Sequence, residues 1–137
     1  MIDDVSTNAA VALHDFFSRF DIPAFLEDSI PEKISDDDGR LVDTSPPYIT
    51  YQLVIPEPLH TSIFHARVWY RSTSAGVVLA KCGEIERAIG RGVTIPTEYG
   101  SVVIFKDDGT PFVQMQPMND PNMKVAYLTM ILHINTR

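Results

Sequence analysis

A chain of 137 residues with net charge −7, 45% apolar residues and a single cysteine is sized for one domain with an ordinary core. It excludes an internal disulfide and a cysteine-based zinc pattern, and no apolar run approaches the ~20 residues that cross a bilayer. The acidic balance is opposite in sign to that of a typical nucleic-acid reader, and the acidic start Met1-Ile2-Asp3-Asp4 lacks the basic segment of a secretory signal, so synthesis in the cytoplasm is expected.

Residues 3–20 read as a helix. Ala9, Leu13, Phe16 and Phe20 recur at helical spacing, widened by Val5, Ala12 and Phe17, and form a core-facing stripe. Asp3, Asp4, Ser6 and Thr7 offer capping groups. Ile22-Pro23-Ala24 ends or kinks the helix, and Phe25 and Leu26 tuck the exit onto the core.

Residues 27–46 read as a long irregular acidic arm. Between positions 27 and 43 the segment carries Glu27, Asp28, Glu32, Asp36, Asp37, Asp38 and Asp43 against Lys33 and Arg40, a net of −5. A loop this long in a small domain is commonly functional or ordered on binding. Asp36-Asp37-Asp38-Gly39 is turn chemistry and lacks the alternating ligands and terminal Glu of a calcium loop. No metal or cofactor is expected.

The centre of the chain predicts two strands and a second helix. Residues 48–55 place Ile49, Tyr51, Leu53 and Ile55 on one face, and Pro56 and Pro58 stop the strand. Residues 63–71 alternate Phe64, Ala66, Val68 and Tyr70 against Ile63, His65, Arg67, Trp69 and Arg71. Ser72, Thr73 and Ser74 are candidate caps for a helix whose inner stripe is Val78, Cys82, Ile85 and Ile89, closed by Gly90 and Gly92.

Residues 93–96 form a short extended piece, and residues 101–106 a strand apolar on both faces. Lys106-Asp107-Asp108-Gly109-Thr110 predicts a tight hairpin, from which residues 112–116 return antiparallel. A turn at residues 117–122 leads into the longest strand, residues 124–135, with Ala126, Leu128, Met130, Leu132 and Ile134 on its apolar face. The expected fold is a single α+β domain: a mainly antiparallel sheet with two helices on one face, in the order α-β-β-α-β-β-β.

No constellation carries catalysis. His14, His60, His65 and His133 lie on different elements. His65 and His133 are candidate neighbours across a sheet, but no third ligand stands at metal spacing. Cys82 is on an inner stripe, Glu84 and Glu86 point to different faces, and Gly90-Arg91-Gly92 is too short for a phosphate cradle. Lys81, Glu84 and Arg87 form a candidate solvated ion-pair row, and Met115, Met118, Met123 and Met130 a candidate adaptable surface or core filler. The chain reads as an assembly protein rather than an enzyme.

Pro47-Tyr48-Ile49-Thr50-Tyr51, a second strand ending in Val68-Trp69-Tyr70, a Ser/Thr-rich helix start, and the helix end Ile85 to Ile89-Gly90 resemble the small tail terminator (tail completion) proteins of long-tailed bacteriophages. The first helix and the strands at 101–106 and 124–135 follow the same order as in that family. The resemblance implies a virion subunit at the head-proximal end of the tail. It would form a six-membered ring that caps the tail tube, ends its polymerisation and meets the head connector. DNA would pass through without specific binding, which an acidic lining favours, and no membrane is involved. Under this reading Asp36, Asp37 and Asp38 face the lumen or clasp a neighbouring subunit, and the turn Lys106, Asp107, Asp108, Gly109 projects toward the tube or connector. A head-closure or minor capsid protein of the same junction, and a small ligand-binding α+β module, are the alternatives.

Overall fold

The computed structural model describes residues 2–56, 60–98 and 100–136, with side chains described from residue 8 to residue 135. Within these, helix α1 spans Ile2–Phe17 and is followed by strands β1 (Ala24–Leu26), β2 (Lys33–Ser35), β3 (Leu41–Asp43), β4 (Tyr48–Tyr51) and β5 (Thr61–Arg71). Helix α2 (Gly76–Ile89) precedes β6 (Val93–Thr97), β7 (Gly100–Lys106), β8 (Val113–Gln116) and β9 (Met123–Thr136). The molecule is a mixed α+β fold, mostly sheet, with two helices.

The main sheet runs β1-β4-β5-β9-β7-β6, with β8 also paired to β9. Its spine is the long pair β5–β9, in which Thr61 faces His133 and Arg71 faces Met123. All its ladders are antiparallel except β1–β4, which is parallel and sets Phe25 opposite Thr50. This parallel edge was not expected. It forms because the chain leaving α1 turns at Asp21, which takes φ 65°, and the carbonyl of Pro23 accepts the N–H of Ile49.

The helical periodicity predicted the inner faces of both helices. Ala9, Ala12, Leu13, Phe16 and Phe17 of α1 are buried, as are Phe20, beyond the point where the helix expected over residues 3–20 stops, and Val78, Cys82, Ile85 and Ile89 of α2. They join one cluster with Ile49 and Tyr51 of β4, Phe64, Ala66 and Val68 of β5, Ile95, Val102 and Ile104, and the alternate residues of β9 from Ala126 to Ile134. The expected caps at positions 3–7 and Val5 lie outside the described side chains. No serine or threonine side chain caps α2, whose N-cap is Ala75. Instead Ser72 Oγ accepts the N–H of Ser74, and Ser74 Oγ accepts that of Gly76.

Four expectations need correction. The strand predicted for residues 48–55 stops at Tyr51. Gln52 still donates its N–H to His65, but Leu53 and Val54 turn in against the core instead of extending the ladder; Pro58 lies outside the described residues. The arm at 27–46 is not irregular, since β2 and β3 pair within it. The extended piece at 93–96 is a full edge strand, β6. Finally, residues 106–110 do not form a hairpin.

Both β7 and β8 run antiparallel to β9 along the same edge: Lys106 faces Met130, and Val113 faces Leu128. The N–H of Thr129 reaches the carbonyl of Phe112 between them. Residues 107–111 are therefore an outward excursion that interrupts one line of pairing. The positive-φ glycines are Gly39, Gly90, Gly92 and Gly100; Gly109 is not one of them, so the primed turn of a two-residue hairpin is not made. The true hairpin connects β8 to β9, through the turn expected at 117–122.

Candidate functional site

The acidic arm folds into a separate two-stranded hairpin. Lys33 faces Asp43, Ile34 faces Val42 and Ser35 faces Leu41, and the ladder closes at its root with Thr44 N–H donating to Glu32 O at 2.8 Å. At the tip the carboxylate of Asp36 accepts the backbone N–H groups of Asp38 (2.9 Å) and Arg40 (2.8 Å), while Gly39 takes φ 81°. Asp36 is thus the turn's own acceptor, and Asp37 and Asp38 are the exposed tip charges. The strands β2 and β3 pair with each other and with no strand of the main sheet. Leu41 is 69% exposed and Val42 39%. An isolated two-stranded hairpin is marginal in water, and this one displays Leu41 and Val42 to solvent while Ile34 is half-buried.

The second predicted group is built differently. Asp107 accepts from Gly109 N–H and from Thr110 Oγ at 2.7 Å, which folds the excursion on itself. Lys106 Nζ reaches Glu86 of α2 at 3.2 Å and ties the root of the excursion to the helix. Asp108 and Gly109 are exposed. The two groups leave the sheet from different places. The hairpin follows β1 at one edge, whereas the excursion interrupts pairing beyond β9, with β4, β5 and β9 in between. The structure does not bring Asp36, Asp37 and Asp38 together with Lys106, Asp107, Asp108 and Gly109 into one site.

The sheet face turned away from the helices holds a network that sequence reasoning missed. Arg67 ion-pairs with Glu27, donates to Gln116 Oε1 at 3.0 Å, and lies over the ring of Tyr127, 4.8 Å from its centroid. His65 stacks on Tyr127 at 4.6 Å and lies 3.4 Å from Thr129 Oγ1. Trp69 Nε1 donates to Thr50 Oγ1 at 3.0 Å, and Tyr48 bridges Trp69 and Phe25 by ring contacts. Alternation had put His65, Arg67 and Trp69 on one face, but only the register of β5 against β9 reveals Tyr127 and Thr129 as their neighbours. That register also separates His65 from His133, which pair with Thr129 and Thr61 respectively.

This network ties β4, β5, β8 and β9 to one another and to Glu27. Replacing Arg67 with Met should remove the ion pair, the bond to Gln116 and much of the ring contact, leaving the half-buried Glu27 unpaired. The expected cost is about 2 kcal/mol, seen as a drop of about 7 °C in Tm.

Cys82 is 1% exposed, and burial pushes its thiol up to about 12. It is a packing residue, not a nucleophile. An unfolded thiol titrates near ~8.5. The contribution of Cys82 to stability is therefore fully present below that pH. It is lost as pH rises toward about 12, because the unfolded chain releases a proton that the folded chain keeps. Once the unfolded thiol is ionised, the slope approaches ~1.4 kcal/mol per pH unit. Burial also raises Tyr51 and Tyr70, which steepens the fall at higher pH. Urea unfolding across the alkaline range should show this decline, with a shallower slope in Cys82→Ala.

The remaining candidates resolve as surface or core. Lys81 pairs with Glu84 at 2.6 Å and also reaches the carbonyl of Phe20, but Arg87 does not extend the row. Met130 is core, whereas Met115 and Met118 are exposed. A shallow depression is lined by Ala10, Val11, His14, Asp15 and Ser18, all from one stretch of chain. Among the described residues no group of three or more His, Cys, Asp or Glu side chains is placed to hold a metal, and no helix is long and apolar enough to cross a membrane.

Comparison with protein-family models, with curated proteins and with solved structures finds no match.

Proposed function

We propose that this chain is a structural assembly subunit that acts as a tail terminator: a ring-forming virion protein that caps the head-proximal end of a phage tail tube, stops its growth and meets the head connector. The observation that carries the assembly part is the acidic hairpin. It pairs with itself, exposes Leu41 and Val42, and leaves the sheet without covering it. A segment of this kind gains most of its stability by packing on another molecule. A heterologous contact between identical subunits closes a ring when its rotation divides the circle.

Two further features support this reading. Both helices feed one cluster on one side of the sheet. The other side buries Thr50, Val125 and Thr129 but keeps half-buried His65, Arg67, Trp69 and Tyr127 and the exposed Ile63, at 52%, as a face for neighbours. The tip charges Asp37 and Asp38 suit either a lumen that repels DNA or a contact with a basic neighbour. The tail-specific part rests on the resemblance of residues 47–51 and of the element order.

The reading is tested by adding the purified chain to polymerising tail tube protein. Tubes that stop elongating and carry a ring at one end are the expected result. Tubes that grow unchanged, with bare ends, overturn it.

A further inference from the structure

We propose that the β2–β3 hairpin of one copy adds to the exposed edge of β8 in a second copy, extending that copy's sheet. This rests on the self-assembly part of the proposed function and not on location in a virion. The donor side is the hairpin described above, a short pre-formed strand pair with free backbone edges and exposed Leu41 and Val42.

The acceptor side follows from the interrupted pairing along β9. Because β7 covers only the half of β9 from Met130 to Thr136, β8 forms an edge over the other half, paired to β9 alone. Exposed sheet edges are normally guarded by proline, by charge or by brevity. At the two ends of the sheet, β1 has three residues and β6 contains Pro96. The edge of β8 reads Val113-Gln114-Met115-Gln116, with neither proline nor charge. Its exposed side chains include Gln114 and Met115, and Met118 follows, with Sδ 3.9 Å from Gln116 Nε2.

The two surfaces match in length and chemistry, and one basic group lies near the acceptor. A three-residue strand of the hairpin fits the four-residue edge. Main-chain hydrogen bonds would supply affinity, and Leu41 or Val42 beside Met115 would bury apolar surface that each copy alone leaves wet. The hairpin is acidic at its tip. Just past the end of β8, Lys124 makes no ion pair among the described residues, its Nζ bonding instead to the carbonyl of Pro121 at 2.9 Å. One copy's donor and acceptor are different surfaces, so the contact is heterologous and can propagate around a ring.

The test uses two full-length chains of different tag mass, one carrying Val42→Cys and the other Gln114→Cys. They are mixed and oxidised, and solution mass is measured in parallel. The expected result is a disulfide-linked heterodimer that needs both cysteines. Its yield should fall at least about tenfold when Met115→Lys is added to the acceptor or Leu41→Ser to the donor. Both added substitutions lie at exposed positions, and an unchanged Tm verifies that each variant folds. Oligomers by mass without the cross-link overturn the proposed contact and leave self-assembly standing. Monomers without the cross-link overturn both. A cross-link indifferent to Met115→Lys and Leu41→Ser overturns strand addition.

Discussion

Phe17→Ala should destabilise the fold by about 3–5 kcal/mol, the largest loss expected from one side chain here. Phe17 has no exposed surface. Its ring stacks on Tyr51 at 5.2 Å with a 14° interplanar angle, and meets Phe16 and Phe64 edge-on at 5.0 and 6.4 Å. Truncation leaves a ring-sized void where α1 meets β4 and β5, and the neighbouring rings are held by their own contacts and cannot collapse into it. Domains of this kind hold ~5–15 kcal/mol in total, so the loss is a large fraction. With a urea m-value near 2 kcal/mol/M, the midpoint should fall by about 2 M with m unchanged. Val11→Ala is the control: on the same helix but 63% exposed, it should stay within about 0.5 kcal/mol. Equal losses at the two positions would contradict the packing described.

Replacing the hairpin, residues 33–43, with a link of about five Gly and Ser residues should leave the fold intact and weaken the proposed self-association. The two ends are already adjacent, since Thr44 donates to Glu32 at 2.8 Å, so a short link spans them without strain. None of the residues removed belongs to the buried cluster. Tm is expected within a few degrees of the parent. Self-association should weaken by at least about tenfold, or ~1.4 kcal/mol, by sedimentation or solution mass. If the shortened chain associates as the parent does, the hairpin is a solvated ornament and the interface lies elsewhere.

The contrast between the two Asp-Asp-Gly segments shows what the sequence could and could not say. Both carry turn chemistry: Asp36 accepts the backbone N–H groups of Asp38 and Arg40, and Asp107 accepts the N–H of Gly109 and the hydroxyl of Thr110. At Asp36 the flanking residues pair with each other and the turn becomes a hairpin tip. At Asp107 the flanks both pair with β9, and the turn becomes an excursion. Local chemistry is alike; the difference lies in which long-range partner the flanks find. The same holds for the face bearing Arg67. Alternation placed Arg67 correctly, but Tyr127, Gln116 and Glu27 come from three other parts of the chain, and only register joins them. The inner faces of both helices and of β5 and β9 were legible because burial on one side imposes a period that needs no partner to be seen. Strand β1, at three residues, and strands β2 and β3, which bury little, leave no such period.

The proposed terminator function is tested most directly by electron microscopy of phage particles assembled without this chain. Overlong, headless tail tubes beside filled, tailless heads are the predicted result, since a tube without its cap has nothing to stop its growth or join it to a head. Complete particles with tails of normal length would contradict it.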